Sequence, residues 1–218
     1  MKIKALIFDL DGVIVDTAKY HYLAWKELAD ELGFFFSKTD NEKLKGVSRM
    51  RSLDILLEVG KVELEYDVKL QLAAKKNERY VGMVKKMPAD EILPGVLSVL
   101  KAAKEKGYKI ALGSASKNAM TILNQINISD LFDAIIDGNK VSNAKPDPEV
   151  FLMGANELNV KPQNCVVFED AAAGVEAAHN GKMFCIGIGT KENLAEADIV
   201  IPSFENFTIN DFEKIISR

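Results

Sequence analysis

The sequence predicts an α/β fold: a Rossmann-like parallel sheet with helices on both faces, plus a small all-helical domain inserted after the first strand. Three observations point there. From residue 96 onward, short apolar runs alternate with segments of helical period, as crossover connections between parallel strands require. Several of those runs are solidly apolar rather than alternating, the pattern of strands buried on both faces. One further run stands alone near the N-terminus, separated from the others by a long stretch whose only periodicity is helical.

The elements follow in order. Residues 3–8 read as a buried strand that ends at Asp9. Over residues 18–32 the period changes: Ala24, Trp25, Leu28, Ala29 and Leu32 share one helical face, and Gly33 stops the helix. Ser48 is placed to cap a second helix through Leu53, Leu56 and Leu57 to Gly60, and a third covers residues 64–85. Residues 96–106 form a helix closed by Gly107. Strands are expected at 108–112, 134–136, 164–168, 183–186 and 199–201, with helices at 118–127, 148–158 and 174–180 between them. The expected division is 1–15 with 93–218 as the α/β core, and 16–92 as the helical insertion, joined by two connectors that suit a hinge.

Composition sets outer limits. Of 218 residues, 48% are hydrophobic and 28% charged, an ordinary globular balance. The net charge of −4, with no basic cluster to offset it, argues against a nucleic-acid partner. Cys165 and Cys185 each lie in a short apolar run and read as buried thiols rather than as a disulfide or a metal site. No stretch has the length of a membrane span or the pattern of a signal peptide. The expectation is a soluble, cytoplasmic monomer with a small-molecule partner, and neither nucleic acid nor membrane.

Ligands of open parallel sheets bind beyond the carboxyl ends of the strands, so the residues that follow each apolar run carry the chemistry. Asp9 and Asp11 follow the first run, Gly113-Ser114-Ala115-Ser116 the second, Lys145-Pro146 comes after the third and its loop, and Glu169-Asp170 follows the fourth. Taken singly, each has an ordinary explanation: a turn, an N-cap, a solvated loop, an acidic pair at a helix start. A Ca²⁺ loop beginning at Asp9 fails, because its twelfth position is Tyr20 rather than Glu. Taken in order at four strand ends, they suit phosphate and Mg²⁺. Asp9 and Asp170 are hard oxygen donors of the kind Mg²⁺ prefers, and an aspartate can attack phosphorus to form an aspartyl-phosphate. Bringing that anion to a phosphate meets a repulsion of about 4 kcal/mol per charge pair at 4 Å and an effective dielectric near 20. Lys145, Ser114 and the backbone N–H groups around Ala115 are placed to cancel it. Asp11, two residues beyond Asp9 in an extended chain, points the same way and suits general acid–base work. No G-x-x-x-x-G-K-[ST] motif is present, and Gly187-Ile188-Gly189 lacks the third glycine of a dinucleotide fingerprint and reads as a turn.

Phe8-Asp9-Leu10-Asp11-Gly12-Val13, Ser114, Lys145 and Glu169-Asp170 resemble the four motifs of the haloacid dehalogenase superfamily of phosphotransferases, along nearly the whole chain. The helical insertion resembles that family's small α-helical cap. The resemblance implies that Asp9 is the nucleophile and a Mg²⁺ ligand. It makes Asp11 the acid–base, with its backbone carbonyl on the metal. Asp170 becomes a direct ligand and Glu169 a direct or water-mediated one. A second set, Thr17, His21, Trp25, Lys45-Gly46-Val47-Ser48-Arg49, Lys76-Asn77 and Ser116-Lys117-Asn118, resembles the branch that moves phosphoryl groups on glucose phosphates. That branch implies interconversion of β-glucose 1-phosphate and glucose 6-phosphate, with β-glucose 1,6-bisphosphate as intermediate and activator. Read from the residues alone, Lys76 on a largely apolar stripe with Leu72 and Tyr80 is either a snorkelling lysine or one facing a cleft. His21, four residues after Thr17, is either a hinge-bonding histidine or part of a polar relay to Asp11. Lys45 and Arg49 are a solvated pair or, for Arg49, a bidentate phosphate ligand, with Ser116, Lys117 and Asn118 sharing a second phosphate. His179 is assigned to a helix surface. A Mg²⁺-dependent sugar-phosphate phosphatase fits the core motifs equally, and a non-catalytic sugar-phosphate binder should have lost Asp9, Asp11 or Asp170. A dehalogenase is disfavoured because Asp11 and Asp170 imply Mg²⁺ and phosphate.

Overall fold

The computed structural model describes residues 2–44 and 47–217. The chain divides into two compact units, Met1–Asp16 with Pro88–Arg218, and Thr17–Met87.

The larger unit is a six-stranded parallel sheet. Its strands are β1 Ala5–Phe8, β2 Lys109–Gly113, β3 Ala134–Ile136, β4 Cys165–Glu169, β5 Phe184–Ile188 and β6 Ile199–Ile201. They lie in the order β3-β2-β1-β4-β5-β6. Chain direction across the sheet reverses between β1 and β4, where an open α/β sheet leaves its crevice. All four residues of β1 are buried, because the strand is paired on both edges, with Ile7 opposite Ala111 on one side and Val167 on the other. Phe8 and Phe168 are register partners and their rings stack 4.6 Å apart. One face of the sheet closes on a cluster that includes Ile7, Ala111, Ile136, Phe151, Val167 and Val175.

The helices of this unit are α5 Val96–Glu105, α6 Ala119–Gln125, α7 Glu149–Glu157, α8 Ala172–Asn180 and α9 Ile209–Ile216. The last is absent from the sequence reading. Thr208 caps it in a reciprocal box with Asp211, and Phe212 sits edge-on to Tyr108 at 5.6 Å. Several boundaries also differ from expectation by a few residues. Glu169 belongs to β4 and is paired with Gly187, so Gly187 is a strand residue and not a turn. Both thiols are free and buried, and burial pushes the Cys165 thiol up to about 11.

The smaller unit holds α1 Ala18–Glu31, α2 Lys38–Glu42, α3 Arg49–Gly60 and α4 Tyr66–Val84. Its core gathers Trp25, Leu28, Leu53 and Leu56, which the helical period marked, with Phe36 and Ala73, which it did not. Ser48 caps α3 by accepting from the Arg51 N–H, as its position predicts. Helix α2 is unexpected. Ser37 and Asp40 form a capping box around it. Helices α1 and α4 are tied by Arg79 to Glu31 and Lys75 to Glu31, and α3 to α4 by Lys69 to Asp54 at 2.8 Å.

Residues 88–92 go with the sheet because Ile92 bridges Val15 and the Leu93 N–H donates to the Ile14 carbonyl at 2.9 Å. Among the described residues no helix is long and apolar enough to cross a membrane.

Candidate active site

The register of the central strands brings the first group of residues together. The Asp9 N–H donates to the Phe168 carbonyl at 3.0 Å, carrying the β1–β4 ladder one residue further, and the Ser114 N–H does the same to Ile136 at 2.9 Å. Asp9, Ser114 and Glu169 therefore stand side by side at the carboxyl edge of β1, β2 and β4. All three are buried. Lys145 arrives from the loop after β3, next to a cis bond to Pro146. Its ammonium lies 2.6 Å from Asp9 Oδ1 and 2.6 Å from Glu169 Oε1.

Each group in this cluster is held by something specific. The Lys145 ammonium sits 4.7 Å above the Phe151 ring, a cation–π contact. Phe151 in turn packs on Gly113, where a Cβ would come within 2.8 Å of its ring. Glu169 Oε2 accepts the Ala171 N–H at 2.7 Å, so both of its oxygens are committed. A Cβ at Gly174 would lie 1.8 Å from Glu169 Oε1, so α8 approaches this carboxylate by lacking a side chain there. Gly12 has φ +82°, and a Cβ on it would stand 2.0 Å from Asp170 Oδ2. The Asp9–Leu10–Asp11–Gly12 turn thus makes room for the carboxylate of Asp170. Phe151, Gly174 and the role of Gly12 escaped the sequence reading. Their signal is spatial proximity between elements, which no local pattern carries.

The electrostatics follow from this crowding. Burial pushes the Asp9 pKa up; Lys145 opposes, and the negative charges of Glu169, Asp170 and Asp11 push it further up. Burial alone would lower the pKa of Lys145, but Asp9 and Glu169 more than reverse this and keep it protonated. Asp9 thus has three carboxylates and one ammonium for neighbours, a surplus of negative charge that a divalent cation would neutralise. Among the described residues, no three acidic, imidazole or thiol side chains are gathered as a ready metal cage. Glu169 is already engaged by Lys145 and by the turn at Ala171. The donors have the hard-oxygen chemistry that Mg²⁺ takes.

Residues 114–118 form a tight loop. Ser114 Oγ accepts the Ser116 N–H at 3.0 Å and Ser116 Oγ accepts the Asn118 N–H at 3.3 Å. An accepting hydroxyl keeps its own hydrogen for donation. Ala115 and Lys117 are exposed, and Ser116 and Asn118 partly so.

The second group of expected residues lies in the helical unit. Lys45 and Gly46 fall outside the described residues. Thr17 is buried at the start of α1 and does not use its side chain as a cap. Arg49 opens α3 and is partly buried. Lys76 is neither snorkelling nor solvated: at 3% exposure its ammonium lies 2.9 Å from His21 Nδ1 and 4.4 Å over the Trp25 ring. Trp25, expected to touch substrate, is instead a core residue at 2% exposure, and what it presents is a π-face to Lys76. The His21 ring packs on Tyr80 with centroids 4.1 Å apart. His179, as expected, is on the surface of α8, 3.0 Å from Asp198.

Comparison with known proteins agrees with this fold. The haloacid dehalogenase-like hydrolase family matches residues 3–182. The chain is 41% identical over 208 residues to the β-phosphoglucomutase of Bacillus subtilis, covering 94% of this chain and 92% of that one. It is 31% identical over 183 residues to the fructose-1-phosphate phosphatase YqaB of Escherichia coli, covering 84% and 95%. The crystal structure of a β-phosphoglucomutase from Clostridium difficile superposes with a TM-score of 0.90 at 45% identity, covering 99% of this chain and 100% of the other. The chain belongs to the haloacid dehalogenase-like hydrolase family.

Proposed function

We propose that the chain is a phosphoglucomutase acting on β-glucose 1-phosphate and glucose 6-phosphate. The observation that carries the phosphoryl-transfer part is the Lys145 ammonium held 2.6 Å from Asp9 Oδ1, with a second carboxylate, Asp11, two residues on. The Asp9 carboxylate attacks phosphorus, forming an O–P bond as the bond from phosphorus to the sugar oxygen breaks. Asp11 gives a proton to the departing oxygen, then takes one from the sugar hydroxyl that attacks the aspartyl-phosphate in the next half-reaction. Lys145 and the N–H groups after Ser114 stabilise the charge that builds on the transferring oxygens. Asp9 and Asp170 would hold Mg²⁺ by their carboxylates and Asp11 by its carbonyl, with Glu169 acting through water. When bound, the metal neutralises the approach of two anions.

β-Glucose 1,6-bisphosphate is the proposed intermediate and activator. It donates a phosphoryl group to Asp9 and leaves as one monophosphate, and the other monophosphate regenerates it. Likeness to two β-phosphoglucomutases at 41% and 45% identity over nearly the full chain supports the mutase. A phosphatase of phosphorylated sugars is the second reading, favoured by the 31% identity to the fructose-1-phosphate phosphatase. The two differ in whether a sugar hydroxyl or water takes the phosphoryl group. Incubation of β-glucose 1-phosphate with catalytic bisphosphate and Mg²⁺ should yield glucose 6-phosphate with little free phosphate. Rapid phosphate release without isomerisation would establish the phosphatase instead.

A further inference from the structure

The loop that follows β3 is pressed against residues 114–118. At Gly138 a Cβ would come within 2.2 Å of the Ala115 carbonyl oxygen, so only glycine permits this approach. The Gly138 N–H donates to the Ser116 carbonyl at 3.1 Å. One residue on, Asn139 Nδ2 donates to the Lys117 carbonyl at 2.9 Å and to Asp137 Oδ2 at 3.0 Å. Both partners can only accept, so the amide must turn its NH₂ end toward them. The other oxygen of Asp137 accepts the Asn139 backbone N–H at 2.9 Å. Asp137 is 8% exposed. It thus fixes Asn139 from two sides, and Asn139 passes that constraint to Lys117.

We propose that Asn139, set by Asp137, is a positioning residue that holds the main chain at Ser116 and Lys117. It thereby sets the side chains of Ser116, Lys117 and Asn118 for the phosphate that is not being transferred. The inference rests on the mutase reading, in which the substrate carries that second phosphate. The main chain at Lys117 has no strand partner and turns into the short helix α6, whose N-cap Asn118 makes no side-chain cap hydrogen bond. Cross-loop bonds from Gly138 and Asn139 add to the Ser114 and Ser116 hydroxyl bonds within the loop. Asn139 itself is exposed.

The test compares two phosphoryl donors on Asn139→Ala and Asn139→Asp. Acetyl phosphate carries only the group transferred to Asp9, whereas a glucose bisphosphate also carries the distal one. Both variants should lose about tenfold in kcat/KM with the bisphosphate, the scale of one neutral hydrogen bond. Both should phosphorylate Asp9 from acetyl phosphate at the wild-type rate and melt only about 2–4 °C below the wild type, the scale of a lost hydrogen bond. Asn139→Asp should behave like Asn139→Ala, because a carboxylate cannot donate to the Lys117 carbonyl. Equal losses with both donors, or no loss with either, would overturn the proposal. If the wild type hydrolyses the bisphosphate without isomerising it, the mutase reading fails on its own. Asn139 is then judged by bisphosphate hydrolysis against acetyl phosphate hydrolysis, with the same outcomes for and against.

Discussion

Lys76 donates from its ammonium to Nδ1 of His21 across 2.9 Å. An ammonium has no acceptor to offer, so that nitrogen is unprotonated and the imidazole is neutral with its proton on Nε2. Burial, then the charges of Lys76 and Arg49, hold the His21 pKa well below the ordinary 6.5. The folded chain therefore refuses a proton that the unfolded chain accepts near 6.5. Stability from this site is full above that pH and is lost as pH falls below it, with a slope of at most about 1.4 kcal/mol per pH unit for one proton. Thermal melts between pH 7.5 and pH 5 should show a steeper loss for the wild type than for His21→Gln. Parallel curves would contradict the assignment.

Lys145→Met removes the cation between Asp9 and Glu169. Loss of a preorganised donor at a charge-developing site costs about 10²–10³-fold in kcat. Phosphorylation of Asp9 from acetyl phosphate should slow by the same factor, because Lys145 acts on the transferring group itself. Stopped-flow measurement of that single step checks it.

Gly12→Ala meets two obstacles at once. A φ of +82° costs an L-residue about 1–2 kcal/mol, and the new methyl group overlaps Asp170 Oδ2. The variant should be less stable and should need at least about tenfold more Mg²⁺ for half-maximal activity, if each displaced ligand is worth one decade. Gly33→Ala is the control. It carries the same backbone strain at φ +84° with nothing within 4 Å of the added Cβ, and its Mg²⁺ requirement should stay at the wild-type value.

Thr208→Ala breaks the capping box of α9, in which Thr208 Oγ1 accepts the Asp211 N–H at 3.2 Å. The expected cost is about 1 kcal/mol, or roughly 2–4 °C in Tm for a protein of this size. Phosphoryl transfer should change little, since the box itself is exposed and the contact of Phe212 with Phe168 does not involve it.

The motif residues were legible in the sequence because each one follows an apolar run, and a parallel sheet lines up the ends of such runs. Asp9, Ser114, Lys145 and Glu169 needed no more than that. The order of the strands was not legible, because pairing of β1 with both β2 and β4 is a long-range choice with no local mark. Helices α2 and α9 did leave marks, Ser37-x-x-Asp40 and Thr208-x-x-Asp211. These box patterns were overlooked because α2 is too short to show a period and α9 follows a run of turn residues. Trp25 shows a different limit. A helical period separates apolar from polar faces, but it cannot tell an aromatic that meets substrate from one that supports a lysine. The contacts of Asn139 join two loops, and loop-to-loop contacts leave no periodic trace.

The hydrogen bond from the Leu93 N–H to the Ile14 carbonyl, with the Val15–Ile92 bridge beside it, closes the neck of the inserted helical unit. Entry and exit are thus neighbours in the ladder, and none of the paired strands lies inside the insertion. Such a segment is a cassette. It can lengthen, shorten or be replaced in the course of descent while the register of the sheet, and with it the spacing of Asp9 from Lys145, is inherited unchanged.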